Sequence, residues 1–450
     1  MIFNSAGFLL FFFPVAMLLF LSPRLRRFRL PILLILSLFL YETSAGGSQL
    51  LLLVLCVGWV HFWSGVASAV SSRGRLAMSI IVPAAVLIYF KYAAFLLSTV
   101  GLTDRLPSFS GGLPAGISFY VFHMISFAID RYRGDLPQAP SRVQFATYVA
   151  FFPQLVAGPI TRFRQVGDSI RRITEFRHDA GSIWAGVSML SVGLASKLLL
   201  ADPLAGMLAP LLKIAPTLDR ASAAFVFLAY SFRIYFDFYG YSMMAMGLGA
   251  LFGIVLPKNF DRPYLSLNPR EFWRRWHMTL SFWIRDYLYL PLGGNRHYVR
   301  NILIVFGACG LWHGAGWNFV VWGLYHGGLI LIYSATRRGW DRLPGWGSVV
   351  LTFLLVTLGW PLFALDLPSF MAMATNLFHG GGEGAQVPLS GWLLVIASAG
   401  VAFGVDTDKV TDPAILHQPW FRVRQAVLAV LTAAAITLVE GSQPFIYFQF

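Results

Sequence analysis

The chain has 450 residues, of which 57% are hydrophobic, 16% aromatic and only 12% charged, with a formal net charge of +14. A soluble globular domain carries nearer about 25% charged residues, so the composition excludes a soluble enzyme and leaves no separate basic domain to bind nucleic acid. At about 20 apolar residues per crossing, it predicts an all-α polytopic membrane protein of roughly 10–12 transmembrane helices; solid runs such as "LLLVLCVGWVHFW" lack the alternation of barrel strands.

The N-terminal stretch "MIFNSAGFLLFFFPVAMLLFLSPRLRRFR" carries its charges after its long apolar run, which is not the pattern of a cleaved secretory signal. Arg24, Arg26, Arg27 and Arg29 place the first loop in the cytoplasm and the N-terminus outside. Cys56 and Cys309 both lie in apolar runs and imply neither a disulfide framework nor a Cys-based metal site. Apolar runs recur to about residue 440 without an internal repeat, so one membrane-embedded domain over 1–450 is expected.

The segment 161–178 has five arginines against one Asp and one Glu. Phe163, Val166, Ile170 and Ile173 fall at helical spacing within it, which predicts an amphipathic helix lying in the membrane interface. Farther on, Lys197 and Asp202 are close enough in sequence to pair. Arg233 and Asp237, one helical turn apart, are expected to pair on one face.

The loop 257–300 has eight basic residues against three acidic ones and is assigned to the cytoplasm. Asn268 as N-cap, Pro269 at the first helical position and Glu271 in the first turn predict a helix start. Trp273, Trp276, Leu280, Trp283 and Tyr287 then share one face, with Arg274, His277, Ser281 and Arg285 as a polar stripe on its flank. An aromatic face beside arginines suits the headgroup level, so a continuous interfacial helix is expected, ended by "PLGGNR".

The apolar segment 302–333 follows, with cationic residues on both flanks. It contains "CGLWHGAGWNFVVWGLYHG", Cys309 to Gly327. A segment that enters and leaves on one side, broken at "GLWHGAGWN", predicts two half-length arms with His313 near the bilayer midplane. An ionisable side chain there is a functional candidate by default. His326, on the second arm, reads as a packing residue. Loop 366–388 holds Asp366 and Glu383 and no Lys or Arg, so it is placed outside, 406–423 inside, and the last ten residues outside.

No HExxH, GxSxG or Gly-rich phosphate loop accompanies His313, and no carboxylate stands near it to complete a metal site. A neutral buried imidazole suits general-base catalysis, taking a proton from a hydroxyl that attacks an acyl carbonyl. Trp312 and Asn318 beside the break, and Trp276, Arg274 and Ser281 in the preceding helix, are the candidate substrate-binding residues. A polysaccharide or lipid transporter, or a non-catalytic scaffold subunit, is the competing class; it would more often show repeated halves and paired broken helices.

Together, "NPREFWRRWHMTLSFWIRDYLYLPLGGNR" and "CGLWHGAGWNFVVWGLYHG" closely resemble the membrane-bound O-acyltransferase family. "FFPQLVAGPITRF", "YFDFYGYS", "NFDRPY" and "MIFNSAGFLLFFFPV" are similar to its bacterial alginate O-acetylation branch, and "PLGGNR" favours that branch over the D-alanylation relatives. The resemblance implies a ring of helices around a central funnel. It also implies transfer of an acyl group, here acetyl, from a cytoplasmic thioester such as acetyl-CoA, with no tightly bound cofactor, towards an extracytoplasmic polysaccharide. It matches the family's signature histidine to His313 and its second histidine to His277. It further implies a bacterial inner-membrane location and a secreted or periplasmic SGNH-type acyltransferase partner. The chain departs from the family where Gly240, Tyr241 and Ser242 are followed by Met243 instead of Asp, and where Tyr239 replaces a small residue. The ending "FIYFQF" resembles the F-x-Y-x-x-F terminus of the partner peptide in D-alanylation systems. That match makes Tyr447, between Phe445 and Phe450, a candidate acyl relay.

Overall fold

The computed structural model describes residues 3–65, 71–102, 112–136, 138–441 and 443–446; Tyr447 lies outside them. Among the described residues every regular element is helical, apart from an isolated bridge between Leu218 and Glu383. Five helices are long and apolar enough to cross a bilayer: Gly47–Gly65, Ser72–Thr99, Ala180–Lys213, Trp317–Trp340 and Gly345–Phe363. The pair Phe8–Leu21 and Pro23–Ser44, bent by 94°, makes a sixth if counted as one span. The chain is therefore an all-α multi-pass membrane protein, and the described residues hold five or six full-length spans where its apolar runs suggest roughly 10–12. Local breaks account for part of the difference. The run 143–160 is divided at Phe151, whose extended backbone (ψ 111°) separates Arg142–Ala150 from the single turn Phe152–Leu155.

The described chain forms two compact units, each assembled from separated stretches. The first comprises Met1–Ser191, Tyr241–Pro257 and Thr411–Gln425. Here Arg29, 6% exposed, donates to the carbonyl oxygens of Phe20, Ile173 and Phe176 at 3.0, 3.3 and 2.6 Å. Arg29 thus ties the stretch after the first apolar run to the end of the segment 161–178. The amphipathic helix expected near 163–173 forms as Phe163–Arg171, with its apolar face covered by protein. Phe163, Val166, Ile170 and Ile173 are all buried inside the unit. Phe163 packs edge-on against Phe127 and Tyr148, with ring centroids 5.7 and 5.3 Å away. The apolar face that could have entered lipid is taken by protein.

The second unit comprises Val192–Gly240, Lys258–Val410 and Ala426–Phe450. Its centre is a helical hairpin of Tyr298–His313 and Trp317–Trp340. A Cβ on Gly310 would stand 2.1 Å from the Phe319 carbonyl oxygen, and one on Gly323 would stand 2.1 Å from that of Phe306. These contacts pair positions running in opposite directions, so the arms are antiparallel and touch backbone to backbone. The chain does turn back at "GLWHGAGWN", but the expected equal half-length arms do not form. The first arm has 16 residues, about 24 Å, and the second has 24, about 36 Å, which is enough to cross.

The expected Arg233–Asp237 pair is also corrected. Asp237 instead meets Lys197 at 2.5 Å, while Arg233 lies over the Tyr230 ring at 5.5 Å. Arg preceding Asp is the weaker order for a helical pair, and the tertiary partner wins. The pair Lys197–Asp202 forms as expected, at 2.6 Å.

Candidate functional site

His313 is the last residue of its helix, stopped by the extended Gly314 (φ −159°, ψ 149°). This end projects the imidazole, 4% exposed, into an aromatic layer of Trp312, Trp322 and Phe363, with ring centroids 5.0, 5.0 and 5.1 Å away. Trp322 is fully buried and touches His326 on its other side at 4.9 Å. His326 is enclosed by Trp273, Trp322 and Trp360, consistent with a packing role.

The helix expected to run on from Pro269 starts as its sequence dictates. Asn268 Oδ1 accepts from the Glu271 N–H at 2.9 Å, and Glu271 accepts from the Leu267 N–H at 2.8 Å. It does not continue through 287. Helix Pro269–Arg275 ends at Trp276, and His277 takes the left-handed conformation (φ 42°, ψ 52°) before Met278–Ile284 begins. A non-glycine residue held there is strained and must be imposed by its surroundings. The segment around "NFDRPY" imposes it: the Asp261 N–H donates to the Arg275 carbonyl and the Met278 N–H donates to the Asn259 carbonyl, at 2.9 and 2.8 Å.

The break redistributes the expected polar stripe. Arg274, Ser281 and Arg285 line one cavity, while His277 turns away from it towards His313, with ring centroids 6.4 Å apart. The aromatic face expected at the headgroups is buried too: Trp273, Trp276, Leu280, Trp283 and Tyr287 are each at most 8% exposed. Trp276 packs on Trp360 at 4.6 Å and Trp312 lies 5.9 Å from His277.

Asn259, to which the sequence assigns no role, fixes the chemistry of His277. Its Oδ1 accepts from Thr279 N–H and Oγ1 at 3.3 and 2.9 Å and faces His277 Nδ1 at 3.0 Å. An oxygen already accepting from a backbone N–H can only accept again, so Nδ1 carries the proton and Nε2 keeps its lone pair. Burial pulls the His277 imidazole well below its ordinary pKa, so it stays neutral.

The cavity has a volume of about 570 Å³. Arg270, Arg274 and Arg285 stand on its walls with Ser281, and Trp273 and Cys309 close its apolar end. Cys309 precedes His313 by one turn of the same helix, so the cavity wall comes within one helical turn of His313. Arg270 is anchored by Ser334 and Tyr298 at 2.7 and 3.2 Å, and Arg285 by Asp286 at 2.6 Å. Arg274 makes no ion pair among the described residues and is exposed. Asn318 is not on this cavity; its side-chain NH₂ donates to the Leu362 carbonyl at 2.8 Å and holds the start of the second hairpin arm. Among the described residues, no three His, Cys, Asp or Glu side chains gather as a metal site would require.

A buried pair of histidines, one with a fixed tautomer, beside a cationic cavity is suited to moving a proton on and off an acyl acceptor. Comparison with known proteins points the same way. The profile of the membrane-bound O-acyltransferase (MBOAT) family matches residues 76–357. A protein of Azotobacter vinelandii named "Probable alginate O-acetylase AlgI" is 35% identical, covering all of both chains. A peptidoglycan O-acetyltransferase of Helicobacter pylori is 34% identical over 64% of this chain and 61% of its own. A teichoic acid D-alanyltransferase of Streptococcus thermophilus is 31% identical over 50% of this chain and 57% of its own. The chain is an acyltransferase and belongs to the membrane-bound O-acyltransferase family.

Proposed function

We propose that the protein takes an acetyl group from a cytoplasmic thioester, acetyl-CoA or a related donor, and passes it across the bacterial inner membrane for O-acetylation of an extracytoplasmic polysaccharide. The observation that carries this is the juxtaposition of His313 and His277 at two backbone breaks, with the wall of an arginine-lined cavity within one helical turn of His313. Three guanidinium groups around an apolar end fit a donor with a phosphorylated head and a thioester tail. Relatives named for alginate and peptidoglycan O-acetylation support the acetyl group and the glycan acceptor.

In this mechanism His313 accepts the proton of an attacking hydroxyl. The oxygen bonds to the thioester carbonyl carbon, the C–S bond breaks, and the imidazolium returns its proton to the departing thiolate. His277, neutral and held by Asn259, orients the acceptor through its Nε2 lone pair. The phenol of Tyr447 is the first acceptor in this scheme, and it hands the acetyl group to a periplasmic SGNH-type transferase. Arg274 and Ser281 contact the donor, and Trp312 and Trp276 shape the site around the histidines.

Donor-dependent thioester turnover by purified protein tests the proposal, wild type against His313→Ala. Turnover that survives the substitution overturns the role of His313. Absence of acetyl-Tyr447 by mass spectrometry, with polysaccharide acetylation unchanged in Tyr447→Phe, overturns the relay.

A further inference from the structure

Lys197, Asp202 and Asp237 form a buried cluster that the acyl-transfer steps above do not use. Their side chains are 3%, 8% and 3% exposed. Two features of the backbone assemble it. Ser196–Ala201 is a π-helical turn, closed by the Asp202 N–H to the Lys197 carbonyl, so residues five apart share one face. On the facing helix, a Cβ at Gly240 would stand 2.8 Å from the Gly193 carbonyl oxygen. That close approach brings Asp237, one turn earlier, across to Lys197.

The cluster places two carboxylates against one ammonium, and each carboxylate splits its oxygens in the same way. Oδ1 of Asp202 and of Asp237 meets Lys197 Nζ at 2.6 and 2.5 Å. Oδ2 of Asp237 accepts from the Ile446 N–H at 2.6 Å, and Oδ2 of Asp202 accepts from the Gln443 N–H at 3.1 Å. The second negative charge is thus balanced by backbone N–H groups at the end of the chain, and buried carboxylates stripped of such partners are costly. Phe445 and Ile446 are buried alongside. The Phe445 ring lies 5.9 Å from Phe238, whose ring lies 4.6 Å from that of His277.

We propose that Lys197, Asp202 and Asp237 are a receptor for the C-terminal segment 443–446, and that they act as positioning residues by anchoring the chain's own end beside the histidine pair. This rests on the acyl-transfer role of that pair. The anchor is electrostatic and directed at the backbone, so it fixes where the segment 443–446 sits. An acceptor borne on this chain would then need no separate peptide to present it.

The test uses the full chain in nanodiscs with benzoyl-phenylalanine in place of Phe445. Photo-crosslinking to the 236–241 stretch, located by mass spectrometry, reports docking whatever the chemistry. Asp237→Asn and Ile446→Pro, which removes the N–H and also fixes φ, should abolish this crosslink. Without the photo-label they should lower kcat for acyl delivery at least about tenfold at an unchanged donor KM. Asp237→Glu should restore part of both, and Ile446→Val, which keeps the N–H and most of the buried side chain, should resemble wild type. A crosslink that survives both Asp237→Asn and Ile446→Pro overturns the receptor. A lost crosslink with undiminished kcat overturns the positioning role. If His313→Ala leaves turnover intact while the crosslink behaves as expected, the acyl-transfer role of the pair fails and the receptor stands.

Discussion

Replacing Asn259 by Ala removes an oxygen that faces His277 Nδ1 and accepts twice from Thr279. Each buried donor left without an acceptor costs about 1–3 kcal/mol. The Thr279 hydroxyl can turn to another oxygen, which leaves two donors deprived of Asn259 and a destabilisation of up to about 2–6 kcal/mol. The effect on turnover is separable. Without the Asn259 acceptor the tautomer of His277 is no longer fixed, and losing about 1.4 kcal/mol of transition-state orientation lowers kcat about tenfold. Asn259→Asp keeps the acceptor and the tautomer but adds a charge that favours the imidazolium, raising the His277 pKa. That variant should retain most of the turnover near neutral pH and lose it as pH falls through the raised pKa, where the wild-type ring is still neutral. Thioester turnover across pH and melting temperature by intrinsic tryptophan fluorescence give both quantities. If Asn259→Ala keeps kcat within about twofold of wild type, His277 is not oriented by this contact and the tautomer assignment is refuted.

Three further outcomes follow. His313→Ala should lower thioester turnover by about a hundred- to ten-thousandfold, the span of a lost general base, with melting temperature little changed. Arg274→Ala should raise the donor KM several-fold, and the wild-type KM should itself rise with salt, since an exposed guanidinium attracting phosphate is screened. Gly323→Ala puts a Cβ 2.1 Å from the Phe306 carbonyl oxygen, so the hairpin arms must part. A loss of at least about 1–3 kcal/mol is expected, read as a lower melting temperature.

The sequence exposes the break at His313 because its glycines interrupt an apolar run, and the structure shows why they are there: Gly310 and Gly323 let two helices meet at backbone distance. The break at His277 is invisible by the same logic. Aromatic residues keep helical spacing through it, and the left-handed turn is imposed by Asn259 and Asp261, remote from it in sequence. Periodicity reports which residues are apolar, not whether lipid or protein covers them. Hence the amphipathic face of 163–173 and the tryptophan face of 273–287 suggest the interface and are found buried in protein. Asp237 shows the limit of local rules: a partner four residues away is legible, but the one that binds it arrives through a close helix approach at Gly240.

The two histidines also occupy opposite kinds of helix end, which separates their roles. His313 closes the helix Tyr298–His313, whose carbonyl end makes the local field negative. His277 opens the helical run 278–289, whose amide end is positive. A general base must carry a full positive charge while the tetrahedral centre forms, and the carbonyl end supports that charge where the amide end opposes it. In the proposed mechanism, the imidazole at residue 313 is therefore the one suited to act as base, and the one at 277 is suited to orient as a neutral ring. Exchanging these duties would require a cation at the amide end of a helix, in a site where burial already disfavours it. The assignment predicts unequal losses: His277→Gln, which keeps an acceptor near the Nε2 position, should retain far more turnover than His313→Gln, and equal losses would refute it.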